Sequence, residues 1–123
     1  MIETISKARF IRDIADFTRE APWSYRGTRP AVIVFHDSED LYDEEIKMIY
    51  EPLAGVFKQA LFLQVLIDHN TELAHAYDIY QSPTIMFIPV QGKPLFVRSA
   101  LTYHEAEDNI RLLVEGKMDG YRL

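Results

Sequence analysis

The 123-residue chain contains no cysteine, which excludes disulfides, thiolate catalysis and cysteine-ligated zinc or iron–sulfur sites. Basic residues are also few, with 13 lysines and arginines against 19 acidic residues and a formal net charge of −6. Nucleic acid and anionic membranes are therefore not expected partners, because binding phosphates requires a basic surface. No run approaches the roughly 18 apolar residues of a membrane span. The N-terminal segment lacks the apolar core of a signal peptide, so the expected location is the cytoplasm.

Hydrophobic residues make up 48% of the chain, which suits one globular domain. We expect a single structural unit over residues 1–123, in which residues 1–29 pack on a domain formed by residues 30–123. Apolar residues at helical spacing predict a first helix over Lys7–Arg19. The loop after it carries two large aromatic residues that should hold it against the domain, Trp23 and Tyr25.

Four short apolar runs predict strands at Ala31–Phe35, Leu61–Asp68, Ser82–Ile88 and Leu95–Ser99. Helical patterns lie between the first three strands and after the fourth. Ser38 is a candidate N-cap for the second helix, which Pro52 should kink or divide. Asn70 or Thr71 is expected to cap a short third helix.

The last helix has the clearest boundaries. Thr102 and Glu105 fit a capping box before it, and Gly116 should end it. The resulting order, α-β-α-β-α-β-β-α, requires parallel pairing through crossover helices and an antiparallel pair at one edge. We therefore predict an α/β fold with a central four-stranded mixed sheet flanked by helices on both faces.

Several stretches of this chain resemble the thioredoxin family. Val65–Pro89, which reads VLIDHNTELAHAYDIYQSPTIMFIP, resembles the segment that leads to the cis-proline strand of thioredoxins. The segments IPVQGKP at Ile88–Pro94 and SAL at Ser99–Leu101, with the leader ADF…PWSYRGTRP, resemble bacterial thioredoxins typical of Bacteroidetes. The resemblance covers almost the whole chain, and it implies a thioredoxin-like fold in which Pro83 is cis.

The family's W-C-G-P-C signature has no counterpart here. An ungapped alignment from Pro30 places five other residues at those positions: Glu39, Asp40, Leu41, Tyr42 and Asp43. Aspartates therefore occupy both cysteine positions. The resemblance also places Val34 where the family has a buried aspartate and Gln64 where it has a lysine. These joint changes indicate that redox function was lost as a whole, so we expect neither thiol–disulfide oxidoreductase activity nor a cofactor.

The resemblance also implies a peptide-binding groove, formed by Ser82, Pro83, Thr84, Ser99 and Ala100. In the family a glycine falls at Ser99, so the groove is expected to be narrower here. The first hypothesis for function is a redox-inactive module that binds an unknown protein or peptide. The acidic residues at the start of the second helix favour a partner with basic residues.

Two alternatives come from other classes of protein. The first is a cation-binding protein or thiol-independent enzyme that uses the acidic segment His36–Glu45, although calcium-loop spacing is missing there. The second is a structural homodimer, formed through an exposed patch of Tyr42, Tyr50 and Tyr103. The histidines have no i, i+4 pair typical of a metal site. All four are expected to have ordinary surface roles: His36, His69, His75 and His104.

Overall fold

The computed structural model describes residues 2–39 and 43–118. Its strands are β1 (Glu3–Thr4), β2 (Ala31–His36), β3 (Leu61–Leu66), β4 (Thr84–Ile88) and β5 (Leu95–Val97). Its α-helices are α1 (Lys7–Asp13), α2 (Asp43–Val56), α3 (Thr71–Ala76) and α4 (Tyr103–Val114), with a 3₁₀ turn at Ile67–His69. Within the part of the chain described, no helix has the length and apolar character needed to cross a membrane.

The strands form one mixed sheet in the order β1-β3-β2-β4-β5. The pairs β1–β3 and β3–β2 are parallel, whereas β2–β4 and β4–β5 are antiparallel. Every residue of β2 is buried, as expected for a central strand covered by helices on both faces. The predicted α/β class and the mixed sheet are therefore confirmed.

The sheet has five strands in the structure, whereas the sequence predicts four. The additional strand is β1, whose Glu3 and Thr4 pair with Leu63 and Gln64 of β3. The Ile5 backbone N–H extends the pairing by donating to the Gln64 carbonyl at 2.9 Å. Both β1 residues are polar and exposed, so no apolar run marks this edge strand in the sequence.

The first helix is shorter than predicted, because it ends at Asp13 rather than Arg19. Just beyond the helix, the Asp16 carboxylate accepts the backbone N–H of Thr18 at 3.0 Å. A short polar side chain that satisfies the backbone in this way competes with continuation of the helix. The apolar spacing through Phe17 nevertheless has a structural role, since that ring contacts Phe10 at a centroid distance of 6.1 Å.

The predicted cap at Ser38 is wrong, whereas Asn70 does take the N-cap position of α3. Ser38 lies in a turn and bonds to Asp68, while the described part of α2 begins at Asp43. The Asn70 side chain makes no cap hydrogen bond at α3, because its amide oxygen accepts the Lys7 N–H at 3.1 Å and so holds the start of α1. The helix α2 runs through Pro52 as one element, so of the predicted kink or division the division does not occur.

The sheet separates two hydrophobic cores. On one face, Val32, Val34 and Phe87 pack against residues of α2 and α4. On the other, Ile33 and Phe35 pack against α1, α3 and the loop that follows α1. The capping box of Thr102 and Glu105 is confirmed, and Gly116 follows α4 with φ of +70°.

Candidate functional site

An open groove lies where the carboxyl ends of β2 and β3 meet the loop before β4. Residues that follow parallel strands gather at one edge of a sheet, which is where α/β folds commonly bind ligands. We call this feature the acidic groove, and its walls are formed by Asp37, Glu39, Asp68, Tyr80, Gln81 and Ser82. The described residues that line it include three carboxylates and no lysine or arginine, and the Tyr80 side chain is 71% exposed.

One wall of the groove is built by the turn before β4. The Ser82–Pro83 peptide bond is cis, as the sequence predicts. The Ser82 hydroxyl oxygen accepts the Asp37 backbone N–H at 3.0 Å, which ties this turn to the end of β2. The Thr84 hydroxyl donates to the Gln81 carbonyl at 2.7 Å. Pro83 and Thr84 are both buried, so they support the wall from beneath.

The opposite wall is held by a contact between two loops. The Ser38 backbone N–H donates to one Asp68 carboxylate oxygen at 3.0 Å, and its hydroxyl donates to the other oxygen. These two hydrogen bonds, the hydroxyl's above all, hold the pKa of Asp68 below its ordinary value. The groove therefore carries a fixed negative charge at neutral pH.

A buried histidine lies directly behind the groove. His36 is 2% exposed, so the expectation that all four histidines are surface residues is wrong for this one. Its Nε2 lies 2.9 Å from the Gln64 amide oxygen and its Nδ1 lies 3.1 Å from the Asp37 carbonyl. The Gln64 amide nitrogen in turn donates to the Thr4 hydroxyl at 2.6 Å. This network connects the groove to β1 at the edge of the sheet.

The residues aligned with the family's redox positions are only partly placed. Val34 and Gln64 lie directly opposite each other in the β2–β3 register. Asp43 begins α2, with its carboxylate 3.8 Å from the His36 Nδ1. Glu39 is exposed on the groove, whereas Asp40, Leu41 and Tyr42 lie outside the described residues.

The other candidate residues are only partly gathered at the groove. Ser99 and Ala100 are exposed and follow β5, but they are not among the lining residues. Within residues 2–39 and 43–118, no three histidine, aspartate or glutamate side chains are placed to hold a metal ion.

The predicted tyrosine patch requires a correction. Tyr50 is 2% exposed and packs in the core beneath α2, since it follows Ile46 by four residues on the buried face of that helix. Burial raises the pKa of its hydroxyl. Tyr103 is half-buried against the same core, so the patch does not form as predicted.

Asp68, Tyr80 and Gln81 line the groove but belong to none of the sites predicted from the sequence. Asp68 is the last residue of the predicted second strand, and Asp37 lies two residues after the predicted first strand. The rule that parallel strands end at a common edge was therefore enough to pair them. Tyr80 has no comparable signal, because its position depends on the path of the loop between α3 and β4.

Comparisons with known proteins agree with this architecture. A thioredoxin from Borreliella burgdorferi is 30% identical over 95 residues, which are 76% of this chain and 81% of that protein. The crystal structure of chloroplastic thioredoxin z superposes with a TM-score of 0.74 at 17% identity, covering 94% of this chain and 96% of that one. A designed protein of known structure gives a TM-score of 0.56 at 28% identity, over 71% and 74% of the two chains. No protein-family model matches the sequence.

Proposed function

This chain belongs to the thioredoxin family, and we propose that it is a redox-inactive member that binds an extended protein segment in the acidic groove. Disulfide exchange begins with attack by a thiolate, and the chain has no cysteine to supply one. A family member that cannot exchange disulfides can still use its binding surface. We therefore assign binding of a protein segment, without thiol transfer, to the end of the sheet around Pro83.

The observation that carries the proposal is the end of the β4–β5 ladder. The pairing of these strands starts at Ile85 and Val97, whereas the β2–β4 pairing continues to Thr84. Residues 82–84 therefore lie beyond the part of β4 that pairs with β5, and Ser99 and Ala100, which follow β5, are exposed. An added strand is a general mode of peptide recognition that requires no thiol. We place the backbone of the bound segment there.

The groove also favours one class of side chain. Asp37, Glu39 and Asp68 attract a lysine or arginine. The exposed ring of Tyr80 adds a face on which a cation can stack. Ion pairs at such exposed positions are weak and are screened by salt. Charge should therefore select the partner, while backbone pairing supplies most of the affinity.

The test uses two short extended peptides that are identical except for the central residue, which is lysine in one and glutamate in the other. Binding is measured by fluorescence anisotropy. Lysine peptides should bind more tightly. Glu39→Lys, Asp40→Lys and Asp43→Lys should each weaken that preference, and Ser82→Pro should weaken both peptides by altering the groove backbone. Glu115→Lys is the matched control, because this acidic residue is exposed at the end of α4.

Two results would contradict the proposal. If the charge reversals leave the preference unchanged and a folded Ser82→Pro variant keeps full affinity, the segment binds elsewhere. If the protein reduces insulin with dithiothreitol clearly faster than the protein-free blank, the redox-inactive assignment is wrong. The two assays are independent: the peptide titration tests the binding site, and the insulin assay tests the absence of redox activity.

A further inference from the structure

A second recess lies away from the acidic groove and shares no lining residue with it. It is a cavity of about 370 Å³ between the loop after α1 and the end of α3, within the size range of small-molecule sites. We call it the aromatic cleft. The side chains that matter for its chemistry are those of Asp16, Phe17, Arg19, Trp23, Arg26 and Tyr77.

Three aromatic rings form the apolar walls of the cleft. The Tyr77 ring centre lies 6.2 Å from that of Phe17 and 6.1 Å from that of Trp23. All three residues are half-buried, so they combine a fixed position with accessible surface. Behind them, Phe10 and Phe96 contact Tyr77 at 5.9 and 5.8 Å. Rings supported in this way form a rigid surface that suits a flat apolar body.

The charges in the cleft are not balanced. The Asp16 carboxylate accepts the Thr18 N–H and hydroxyl and lies 3.3 Å from the Arg19 Nε. Arg26 is held in place by its backbone N–H, which donates to the Ile14 carbonyl at 2.8 Å. Hydrogen bonds from Thr18 and the charges of Arg19 and Arg26 hold the pKa of Asp16 below its ordinary value, so Arg26 shares this carboxylate with Arg19. Two guanidinium groups therefore line the cleft with one carboxylate, which leaves a net positive charge there although the chain as a whole is acidic.

A hydrogen-bond donor is also left over at this wall. The Trp23 indole N–H is shielded from solvent and donates to no acceptor among the described residues. Buried donors are nearly always paired. This unpaired donor belongs to one of the three rings that form the walls of the cleft.

We infer that the aromatic cleft binds a small carboxylate with a flat apolar body, such as an aromatic acid. The body packs against Phe17, Trp23 and Tyr77, and the carboxylate pairs with the Arg26 guanidinium. A guanidinium can hold a carboxylate through two parallel hydrogen bonds, which distinguishes an acid from a neutral amide of the same shape.

The test follows the indole N–H resonance of Trp23, which is the only tryptophan of the chain, in ¹⁵N–¹H NMR spectra. Benzoate, benzamide and benzylammonium serve as probes, because they share a ring and differ in charge. Benzoate should shift the resonance in a saturable way. Benzamide should bind about tenfold more weakly, which corresponds to the loss of one charge-assisted hydrogen bond. Benzylammonium should bind more weakly still.

Arg26→Gln should weaken benzoate binding about tenfold for the same reason. Arg111→Gln is the matched control, since that guanidinium stacks on Phe57 on the other side of the sheet and should leave binding unchanged. The inference is overturned if benzoate does not saturate, if Arg26→Gln binds as tightly as Arg111→Gln, or if benzylammonium binds more tightly than benzoate. Should Arg26→Gln unfold, the comparison of the three probes on the unaltered protein still decides.

Discussion

The acidic groove and the aromatic cleft are recesses of one small domain, but they are built in different ways. The groove is formed by loops that follow strands, and hydrogen bonds such as Asp37 to Ser82 and Ser38 to Asp68 hold it. Most of its lining residues are exposed. The cleft is formed by half-buried rings that continue into the core around Phe10 and Phe96.

Because of this difference, we expect substitutions in the groove to change binding alone and substitutions in the cleft to change the stability of the fold as well. A side chain at the groove surface contacts few other residues, so its replacement should alter binding while the fold is kept. A ring of the cleft contacts several other rings, so its replacement should affect both. Paired substitutions of the same residue type in the two recesses can test this contrast directly.

The largest effect is expected from a pair of tyrosines. Tyr77→Ala should lower the free energy of unfolding by about 3 kcal/mol, because the ring contacts Phe10, Phe17, Trp23 and Phe96. Tyr80→Ala in the groove should change it by less than about 0.5 kcal/mol, since that side chain is 71% exposed. Urea unfolding followed by circular dichroism measures both. Equal losses for the two variants would remove the contrast between the recesses.

An intermediate effect is expected where the groove reaches the interior. His36→Leu should cost about 1–2 kcal/mol of unfolding free energy, because it removes the buried imidazole and its part-buried 2.9 Å contact with the Gln64 side chain. His104→Leu is the control, since the His104 side chain is 90% exposed. Urea unfolding at neutral pH compares the two variants.

A double-mutant cycle sharpens this prediction. The His36→Leu and Gln64→Leu variants should be less than additive when combined, with a coupling of about 1 kcal/mol, because each removes the same 2.9 Å contact. Strict additivity would mean that this contact adds nothing to stability. The groove would then be stabilised only by its backbone and its loops.

The sequence predicted the fold far better than it predicted the groove. The apolar runs of β2, β3 and β4 and the capping box of α4 are local signals with a direct physical cause, and each was confirmed. The cis peptide at Pro83 was predicted from the family resemblance rather than from local sequence. The strand β1 was missed because two exposed polar residues carry no such pattern.

The errors at the groove have a common origin in long-range contacts. His36 continues the buried strand β2, but an isolated polar residue at a strand end gives no sign of being buried against Gln64, 28 positions later. Ser38 resembles an N-cap, yet its partner is Asp68, 30 positions away. The residue type shows that such a side chain can form hydrogen bonds, but its partner depends on how β2 and β3 align.

The smallest effect expected is a shift in the titration of one groove carboxylate. The Ser38 hydroxyl and backbone N–H hold the pKa of Asp68 below 3.8, so Ser38→Ala should raise that pKa by removing the larger cause. A carboxyl group whose pKa is lower in the folded than in the unfolded protein stabilises the fold at a pH above its unfolded pKa. That stabilisation is lost as the pH falls through the folded pKa. The Ser38→Ala variant should therefore be less stable than the unaltered protein at neutral pH, and the two stabilities should converge in strong acid. Carboxyl ¹³C NMR gives the midpoint, and Ser24→Ala at the aromatic cleft is the control that should leave it unchanged. An unshifted midpoint in Ser38→Ala would mean that the two loops are held together without this hydroxyl.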